Sequence, residues 1–303
     1  MNTENKRALF GALEAGGTKM VLAVFDDEGR MLEKSVLPTG TPDETMPEMT
    51  AFFSSKSLTA LGIGSFGPLC LDPSSPRYGC ITQTPKLPWR NYPLLDAFRQ
   101  ALGIPVGLDT DVNAAALAES VLGAAAGLDS CLYVTVGTGI GGGVVIHGKP
   151  VHGLIHPEIG HIRVVPEKDD PMPGGVCPYH PHCLEGLASG PSIEKRWGVS
   201  ARDLPQGHPA WELESAYLAQ LCQTAMLAFS PERIVLGGGV MQKDFLLPMI
   251  RQKTIALLGG YLSHPAVEEG LNGFITAPGL GTASGITGAY LLARQAAREA
   301  ERP

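Results

Sequence analysis

The order of apolar and polar positions along the chain predicts strands that alternate with helices. Short apolar runs of strand length occur at residues 60–63, 106–108 and 233–236, and stretches rich in Ala and Leu lie between such runs. This alternation is typical of an α/β protein. The chain has 303 residues, of which 44% are hydrophobic, and this length suffices for two domains of ordinary size.

Two segments share a pattern of strand, glycine-rich turn and strand. In the first segment, Gly16-Gly17-Thr18-Lys19 separates strand-like residues 10–14 from residues 20–25. In the second, Gly137 to Gly142 separates residues 131–136 from residues 143–146. Each half of the chain is therefore predicted to open with a β-hairpin. The exposed backbone N–H groups of a glycine-rich tip can bind phosphate oxygens, and two matched tips favour that function over two ordinary turns.

These turns do not fit the common nucleotide-binding motifs. Gly137, Gly139 and Gly142 have the spacing Gly-x-Gly-x-x-Gly, but a strand follows them where a Rossmann site needs a helix. Near the first turn, Gly17 stands where a P-loop has its lysine. A third run, Gly237-Gly238-Gly239, lies between an apolar strand and a helical stretch, and it suits either a nucleotide or a plain strand-to-helix turn.

One short stretch rich in Gly and Pro concentrates metal-binding side chains between two carboxylates. These residues are Glu158, His161, Cys177, His180, Cys183 and Glu185. Thiolates and imidazoles at this spacing predict a tetrahedral zinc site with four protein ligands, and a closed site of this kind is structural. His161 would supply its ligand from residues 159–165, which have the pattern of a strand.

The spacing leaves alternatives open for this stretch. Cys177 and Cys183 could instead form a disulfide or be ordinary thiols, and His182 could replace His180 as a ligand.

A polar cluster follows the predicted strand at residues 106–108. It consists of Asp109, Thr110, Asp111 and Asn113, and a predicted helix comes next. Ligands and catalytic groups gather at the carboxyl ends of strands in α/β sheets, so Asp111 is a candidate catalytic carboxylate. An Asp at this position also commonly caps a helix, and Asp109 or Thr110 could cap while Asp111 points into a site.

Composition and charge narrow the class of protein. The net charge is −7 and no basic run occurs, which argues against nucleic acid or an anionic membrane as a partner. Residues 1–7 are polar and do not form a signal peptide, and no apolar run reaches membrane-spanning length. Four further cysteines are scattered singly, as reduced thiols are in cytosolic proteins, so we expect a cytoplasmic protein.

Taken together, these motifs resemble the ROK family of sugar kinases, most closely its bacterial fructokinase branch. The resemblance covers nearly the whole chain. The matching segments are residues 14–19, 65–68, 84–89, 109–119, 137–142, 156–161, 177–180, 183–186 and 237–239. The resemblance implies an α/β, actin-like ATPase fold, in which two ribonuclease H-like domains enclose a central cleft for ATP and sugar.

The resemblance implies two domains and a C-terminal helix. Residues 1–115 form the smaller N-terminal domain, and residues 116–286 form the larger domain with a zinc loop at 161–183. A C-terminal helix at 287–303 packs back on the first domain. A homodimer is also expected from the resemblance.

The resemblance assigns roles to individual residues. It makes Asp111 the general base that takes the proton from the attacking sugar hydroxyl, with ATP and Mg²⁺ as cofactors and Zn²⁺ as a structural metal. The implied nucleotide-binding residues are Glu14, Gly16, Gly17, Thr18, Lys19, Gly137, Thr138, Gly139, Gly237, Gly238 and Gly239. The implied sugar-binding residues are Gly67, Pro68, Thr110, Asn113, Glu158, His161 and Glu185. The zinc ligands are His161, Cys177, His180 and Cys183.

Some positions depart from the wider family. Glu14 stands where many relatives carry Asp, Thr110 where many carry Asn, and His180 where the zinc loop usually has a cysteine. Glu14 and Thr110 are features of the fructokinase-like branch, so the expected reaction is phosphorylation of D-fructose at its 6-hydroxyl, which yields fructose 6-phosphate.

Other functions within the family are alternatives. A glucokinase, mannokinase or N-acetylmannosamine kinase would use the same machinery, and a non-catalytic sugar sensor would keep the fold. DNA-binding repressors of the family place a helix-turn-helix domain before the first hairpin, where only residues 1–8 stand here.

Overall fold

The computed structural model describes residues 8–302, and all structural statements concern that range. In chain order, the strands are β1 (Leu9–Ala15), β2 (Lys19–Asp26), β3 (Met31–Pro38), β4 (Leu58–Ser65), β5 (Val106–Thr110), β6 (Ser130–Val136), β7 (Ile140–Ile146), β8 (Lys149–Pro150), β9 (Ile234–Gly237) and β10 (Ile275–Thr276). The α-helices are α1 (Pro42–Ser54), α2 (Leu94–Leu102), α3 (Asp111–Leu122), α4 (Leu184–Ala188), α5 (Gly190–Trp197), α6 (Ala210–Ala228), α7 (Leu246–Leu258), α8 (Pro265–Glu268) and α9 (Ser284–Ala300).

Internal contacts divide the chain into two compact units. The first unit contains the residues up to 118, residues 151–156 and the chain from residue 283 onward. The second unit contains residues 119–150 and 157–282. The predicted domain limits at residues 115 and 286 stay predictions, because a grouping of contacts does not test independent folding.

The central strands of the five-stranded sheet of the first unit pack against apolar side chains on both faces, whereas the edge strand β3 is mostly exposed. Its order is β3-β2-β1-β4-β5, with antiparallel pairing among β3, β2 and β1 and parallel pairing of β1 with β4 and of β4 with β5. Because successive side chains of a strand alternate between faces, Leu13 joins the core cluster with Phe53 of α1 and Phe98 of α2. Its neighbour Ala12 joins the opposite cluster, with Ala289 of α9.

Close approach of α9 to the sheet explains a glycine in the middle of β4. A Cβ atom on Gly62 would lie 1.9 Å from the carbonyl oxygen of Ala289 and 2.4 Å from the backbone nitrogen of Ala293. No side chain fits there, since the helix backbone already occupies the space.

The sheet of the second unit repeats the connectivity of the first. Its order is β8-β7-β6-β9-β10, and β6 pairs antiparallel with β7 and parallel with β9. The strand hairpins β1–β2 and β6–β7 therefore occupy equivalent places in two sheets of the same order. This repeat confirms the predicted duplication of hairpins, and α6 and α7 supply further apolar cover for the second unit.

Some sequence predictions of local structure were wrong. Residues 159–165 do not form a strand: they begin as a 3₁₀-helix, Ile159–His161, and pair only through an isolated bridge between Arg163 and Cys183. Gly160 packs directly on β7, where a Cβ would lie 1.8 Å from the Ile140 carbonyl oxygen, so the segment bends over the strand.

Element boundaries also moved at three glycine-rich or helical sites. Gly141 and Gly142 belong to β7, so the second hairpin tip contains only residues 137–139. Helix α3 begins at Asp111, three residues before the predicted start, and ends at Leu122. A short 3₁₀-helix, Val240–Gln242, lies between the third glycine run and α7. Helix α7 begins at Leu246, one residue after the predicted start.

Two stretches used in the sequence predictions lie outside the described residues. The polar segment 1–7 and residue 303, at the end of the predicted C-terminal helix, are not among them. Within residues 8–302, no helix has both the length and the apolar character that a membrane crossing requires.

Candidate functional site

The parallel strands of the first unit bring the predicted site residues to one edge of the sheet. Ala15, Ser65 and Thr110 are the last residues of β1, β4 and β5, and they are paired in register across the three strands. The chain segments that follow them, residues 16–19, 67–68 and 111–113, therefore begin at the same level.

Asp111 is the first residue of α3. Thr110 caps the helix through its hydroxyl, which accepts a hydrogen bond from the backbone N–H of Asn113 at 3.0 Å. Asp111 itself accepts a bond from the N–H of Val112 at 2.9 Å. The side chain is partly buried, and burial raises its pKa from 3.8 to about 6. A carboxylate with such a pKa can take up a proton near neutral pH.

Glu14 lies one residue before the end of β1, beside the start of α9. A Cβ atom on Gly285 would lie 2.6 Å from the Glu14 carboxyl carbon, and the N–H of Ile286 donates to this carboxylate. Burial raises the pKa of Glu14, and the charge of Asp111 raises it further. Glu14 and Asp111 thus form a pair of carboxylates that disfavour each other's charge.

Hydrogen bonds of its own backbone close the first glycine-rich tip. Gly16 donates its N–H to the carbonyl of Lys19 at 2.9 Å, and the Thr39 hydroxyl donates to the Gly16 carbonyl at 2.8 Å. A Cβ on Gly16 would lie 2.8 Å from that Lys19 oxygen, which explains the glycine. Thr18 and Lys19 are exposed.

The remaining predicted sugar residues of this unit lie beside the same strand ends. Gly67 and Pro68 follow β4 and are partly buried. Asn113 is fully buried, and its side-chain nitrogen donates to Asp109 at 2.8 Å. The same nitrogen lies 3.3 Å from Nε2 of His152, so Asn113 contacts both Asp109 and His152.

In the second unit, β6 and β9 bring two glycine runs to one edge, because Thr135 pairs with Gly237. At the second hairpin tip, Gly137 donates its N–H to the carbonyl of Gly139 at 2.9 Å. Its own carbonyl accepts from the N–H of Gly190, the first residue of α5, at 2.7 Å. Thr138 between them is exposed.

The third glycine run has mainly a packing role. A Cβ on Gly237 would lie 2.9 Å from the Tyr133 hydroxyl oxygen, and one on Gly238 would lie 2.4 Å from the Val136 carbonyl oxygen. Gly238 also has a φ of +94°, which favours glycine. A Cβ on Gly239, by contrast, would meet no other atom of residues 8–302 within 4 Å, so Gly239 is the member of this run with open backbone.

Glu185 connects the second hairpin tip with His161. One carboxylate oxygen accepts the N–H of Ile140 at 2.9 Å, and it would lie 2.7 Å from a Cβ on Gly139. The other oxygen lies 3.9 Å from Nε2 of His161. The opposite nitrogen of this imidazole, Nδ1, lies 3.9 Å from Sγ of Cys177. His161 can therefore serve a metal with one nitrogen and a ligand with the other.

The four predicted metal ligands gather in one cluster. The ligand atoms of His161, Cys177, His180 and Cys183 all lie within 4.8 Å of one another. Both cysteines are free thiols, so they form no disulfide.

The neighbours of the cluster distinguish the two candidate histidines. Nδ1 of His180 lies 3.7 Å from Sγ of Cys177, whereas Nδ1 of His182 lies 2.7 Å from the carbonyl oxygen of Pro173. The geometry favours His180 as the ligand. Cys183 accepts the N–H of Gly186 at 3.4 Å, and burial raises the pKa of its thiol to about 11, so a thiolate here needs a nearby cation.

The spacer of this loop is held by a buried ion pair. Asp170 accepts two bonds from the guanidinium of Arg196, at 2.8 and 3.0 Å, and a third from the Tyr217 hydroxyl at 2.6 Å. The two charged side chains are 0% and 1% exposed, so the pair is fully withdrawn from water. Arg196 also donates to the Leu187 carbonyl in α4, at 2.9 Å.

Comparisons with known proteins identify the family of this chain. The family model described as the ROK family matches residues 10–296. The chain belongs to the ROK family.

Relatives and solved structures of the ROK family match over nearly their full lengths. A Zymomonas mobilis fructokinase is 45% identical over 298 residues, covering 96% of this chain and 98% of the relative. A Pediococcus pentosaceus fructokinase is 42% identical, covering 96% of this chain and 100% of the relative. The structure of a Streptomyces griseus ROK family glucokinase, in complex with glucose and AMPPNP, has a TM-score of 0.76 at 27% identity, covering 95% and 99%. These similarities confirm the ROK fold and place the chain among sugar kinases.

The sequence did not predict two structural features of this ROK protein. His152 contacts Asp109, at 3.0 and 3.2 Å from its carboxylate oxygens, and Asp170 forms the buried pair with Arg196. Each contact joins residues that are distant in the chain, and neither follows a spacing rule that a single sequence displays.

The buried pair leads to a prediction about stability. Asp170→Asn removes the carboxylate that is hydrogen-bonded to the buried Arg196 guanidinium, and we expect a loss of about 3 kcal/mol in the free energy of unfolding. Lys253→Met is the control, because Lys253 pairs with Glu212 at the surface and its loss should cost less than about 1 kcal/mol. Urea denaturation of both variants measures the difference, and equal shifts of the two unfolding curves would contradict the assignment.

Proposed function

We propose that this ROK protein is a fructokinase that transfers the γ-phosphoryl group of ATP to the 6-hydroxyl of D-fructose. The observation that carries the proposal is the similarity to two fructokinases, at 45% and 42% identity over nearly all of both chains. The identity to the glucokinase structure is 27%, so a glucokinase is the less favoured alternative. Asp111, present at the strand end with an open carboxylate, argues against a non-catalytic sensor.

Asp111 is the proposed general base. It accepts the proton of the attacking sugar hydroxyl as the new bond to phosphorus forms. Its pKa of about 6 is suited to this step, because at neutral pH the group is ionised and yet is a stronger base than an ordinary Asp. The backbone N–H groups of Val112 and of Asp111 itself hydrogen-bond to this carboxylate and hold it at the start of α3.

The hairpin tips are the proposed phosphate contacts. The N–H groups of Gly16 and Gly137 are used within the turns, but Thr18 and Thr138 are exposed at the two tips, where their hydroxyl and backbone N–H groups can donate to phosphate oxygens. Mg²⁺ fits beside Glu14 and Asp111, since the charge of Asp111 raises the pKa of Glu14 and a cation would stabilise both carboxylates. When bound, Mg²⁺ offsets the charge on the phosphoryl oxygens.

Glu158, His161 and Glu185 are the proposed sugar contacts of the second unit. Carboxylates accept hydroxyl hydrogens, and the His161 Nε2 atom lies on the Glu185 side of the imidazole ring. Glu158 is partly buried and immediately precedes the 3₁₀-helix that carries His161. In the first unit, Thr110, Gly67 and Pro68 line the strand ends, and Asn113 supports Asp109.

Zinc is the proposed metal of the loop. Two thiols and two imidazoles within 4.8 Å match the donor set and the close spacing of a tetrahedral zinc site, which four protein ligands close. The metal would hold His161 through Nδ1 and so fix the direction of Nε2. Its function is therefore structural support of the sugar contacts.

The homodimer and the cytoplasmic location stay predictions from the family resemblance and the composition. Light scattering at micromolar concentration tests the homodimer, and a stable monomer would contradict that prediction. Cell fractionation tests the second.

The activity itself is tested by ADP release with MgATP and fructose, glucose, mannose or N-acetylmannosamine, or with no sugar. We expect fructose to give the highest kcat/KM. Asp111→Asn should lower kcat by about 10²- to 10⁴-fold while calorimetry still detects sugar binding. Asp203→Asn, an exposed isosteric control, should keep full activity. Preference for another hexose would correct the substrate, and normal turnover of Asp111→Asn would exclude its role as base.

The raised pKa of Asp111 predicts a pH dependence. The carboxylate must be ionised to accept a proton, so kcat/KM for fructose should be level above pH 6 and fall about tenfold per pH unit below it. Initial rates between pH 4.5 and 8, with folding monitored by circular dichroism, measure this profile. A profile that stays level down to pH 5 would show that the base has an ordinary Asp pKa.

The metal cluster predicts zinc in the purified protein. Elemental analysis should find about one zinc per chain, and Cys177→Ser should lower both the zinc content and the thermal midpoint because it removes a ligand. Cys70→Ser, outside the cluster, is the matched control. Protein that is purified without chelator and contains no zinc would contradict the assignment.

A further inference from the structure

A short segment between β8 and the 3₁₀-helix of the second unit returns to the first unit. Residues 151–156 make most of their contacts there, although the residues before and after them belong to the second unit. The segment carries two histidines, His152 and His156, and each contacts one of the strand ends that form the proposed sugar site.

His156 supports the segment after β4. It is 5% exposed, and its Nε2 accepts the backbone N–H of Leu69 at 3.1 Å. The ring would also lie 3.4 Å from a Cβ on Gly67. Because Nε2 is an acceptor here, the imidazole is neutral at this nitrogen and carries its proton on Nδ1. His156 is thus a buried support of Gly67 and the residues after it.

His152 contacts the end of β5 instead. Its Nε2 lies 3.0 Å from one oxygen of Asp109 and 3.2 Å from the other. The side-chain nitrogen of Asn113 also lies 3.3 Å from this Nε2, but it donates to Asp109 at 2.8 Å. A carboxylate can only accept, so Nε2 carries the proton and donates it to Asp109. Asp109 is buried and also accepts the N–H of Thr110 at 2.7 Å and the side-chain nitrogen of Asn113 at 2.8 Å. The carboxylate is therefore immobile, and it fixes the plane of the His152 ring.

The other nitrogen of His152 is available to a ligand. The side chain is 41% exposed, and Nδ1 makes no hydrogen bond with any residue in the range 8–302. An imidazole that a carboxylate holds by one nitrogen presents the other in a fixed direction. Asp109 is two residues from the proposed base, Asp111, at the same strand end.

The surrounding charge decides between a hydroxyl and an anion as that ligand. Three carboxylates, those of Glu14, Asp109 and Asp111, belong to this edge of the sheet, and an anionic group would be repelled by them. A hydroxyl is compatible with either state of Nδ1, since it donates to the neutral nitrogen and accepts from the protonated one.

We infer that His152, oriented by Asp109, binds a hydroxyl of the sugar through Nδ1 and contributes to the choice of sugar. The inference rests on the proposed fructokinase function. If His152 did not contact the sugar, the His152–Asp109 pair would only anchor the segment 151–156, as an ordinary partly exposed ion pair does. The two roles differ in one respect, because a sugar contact depends on which hydroxyl the substrate has and an anchor does not.

The experiment is a cycle of enzyme variants and sugars. The kcat/KM values of the wild type and His152→Ala are measured with fructose and with its 1-deoxy, 3-deoxy and 4-deoxy analogues. Loss of one hydrogen bond should lower kcat/KM about tenfold, either by His152→Ala on fructose or by removal of the bonded hydroxyl from the sugar. When His152→Ala is measured with the analogue that lacks the bonded hydroxyl, kcat/KM should fall by no more than either single change, because both changes remove the same hydrogen bond.

The other two analogues should show additive losses, and the effect of His152→Ala should appear mainly in KM. Asp109→Asn should reduce the difference between the summed single losses and the combined loss for that one analogue, because it removes the carboxylate that orients the His152 ring. His147→Asn is the control: this exposed histidine has a φ of +50°, which Asn tolerates, and its substitution should leave all four values unchanged.

The outcomes separate the inference from the function on which it rests. If the wild type does not phosphorylate fructose, the proposed function fails and the inference with it. If the wild type is active but His152→Ala loses the same factor on all four sugars, or loses nothing, the sugar contact is excluded. Because every comparison is made within one variant, a partial loss of folded protein lowers all four values equally and does not imitate the expected result.

Discussion

The register of the parallel strands is the constraint on which the proposed site depends. In the first unit, β1, β4 and β5 end at paired residues, Ala15, Ser65 and Thr110, so the segments that follow begin side by side. In the second unit, Gly237 at the end of β9 pairs with Thr135, one residue before the end of β6. A shift of one residue would turn every following side chain to the opposite face, so the core that fixes the register also fixes the site. The close packing of α9 on Gly62 is part of that core.

The same edge of the sheet carries an electrostatic cost. Glu14 and Asp111 are both drawn out of water, and burial raises the pKa of each, so the ionised pair is less stable than two exposed carboxylates would be. A base for a sugar hydroxyl benefits from this cost, because a carboxylate with a higher pKa accepts a proton more readily. The N–H of Ile286 at the start of α9 offsets part of it at Glu14. The site therefore keeps two carboxylates close together although this makes the ionised form of each less stable.

Sequence reasoning predicted the features that depend on local pattern. The paired hairpins follow from the alternation of strands and glycine-rich turns, and the metal cluster follows from the spacing of Cys177, His180 and Cys183. The position of Asp111 at a strand end was predicted for the same reason. Residues 159–165 were predicted as a strand because their side chains are mostly apolar, but Gly160 packs on the Ile140 carbonyl and the segment bends. Contacts such as His152 with Asp109 depend on tertiary packing, which no local pattern encodes.

Glu185 shows how the loop and the hairpin tip act on one side chain. It is the second residue of the short helix α4, whose N-cap is Cys183, and its carboxylate already accepts the N–H of Ile140. At the other end of α4, the Arg196 guanidinium binds the Leu187 carbonyl and the buried Asp170. The helix is therefore held at its start by the metal cluster and at its end by an ion pair that needs no metal. Because a five-residue helix has little stability of its own, these two anchors, rather than helix propensity, determine where Glu185 lies. Loss of the proposed zinc would free the start of α4 and the His161 ring, while the ion pair would still hold the spacer.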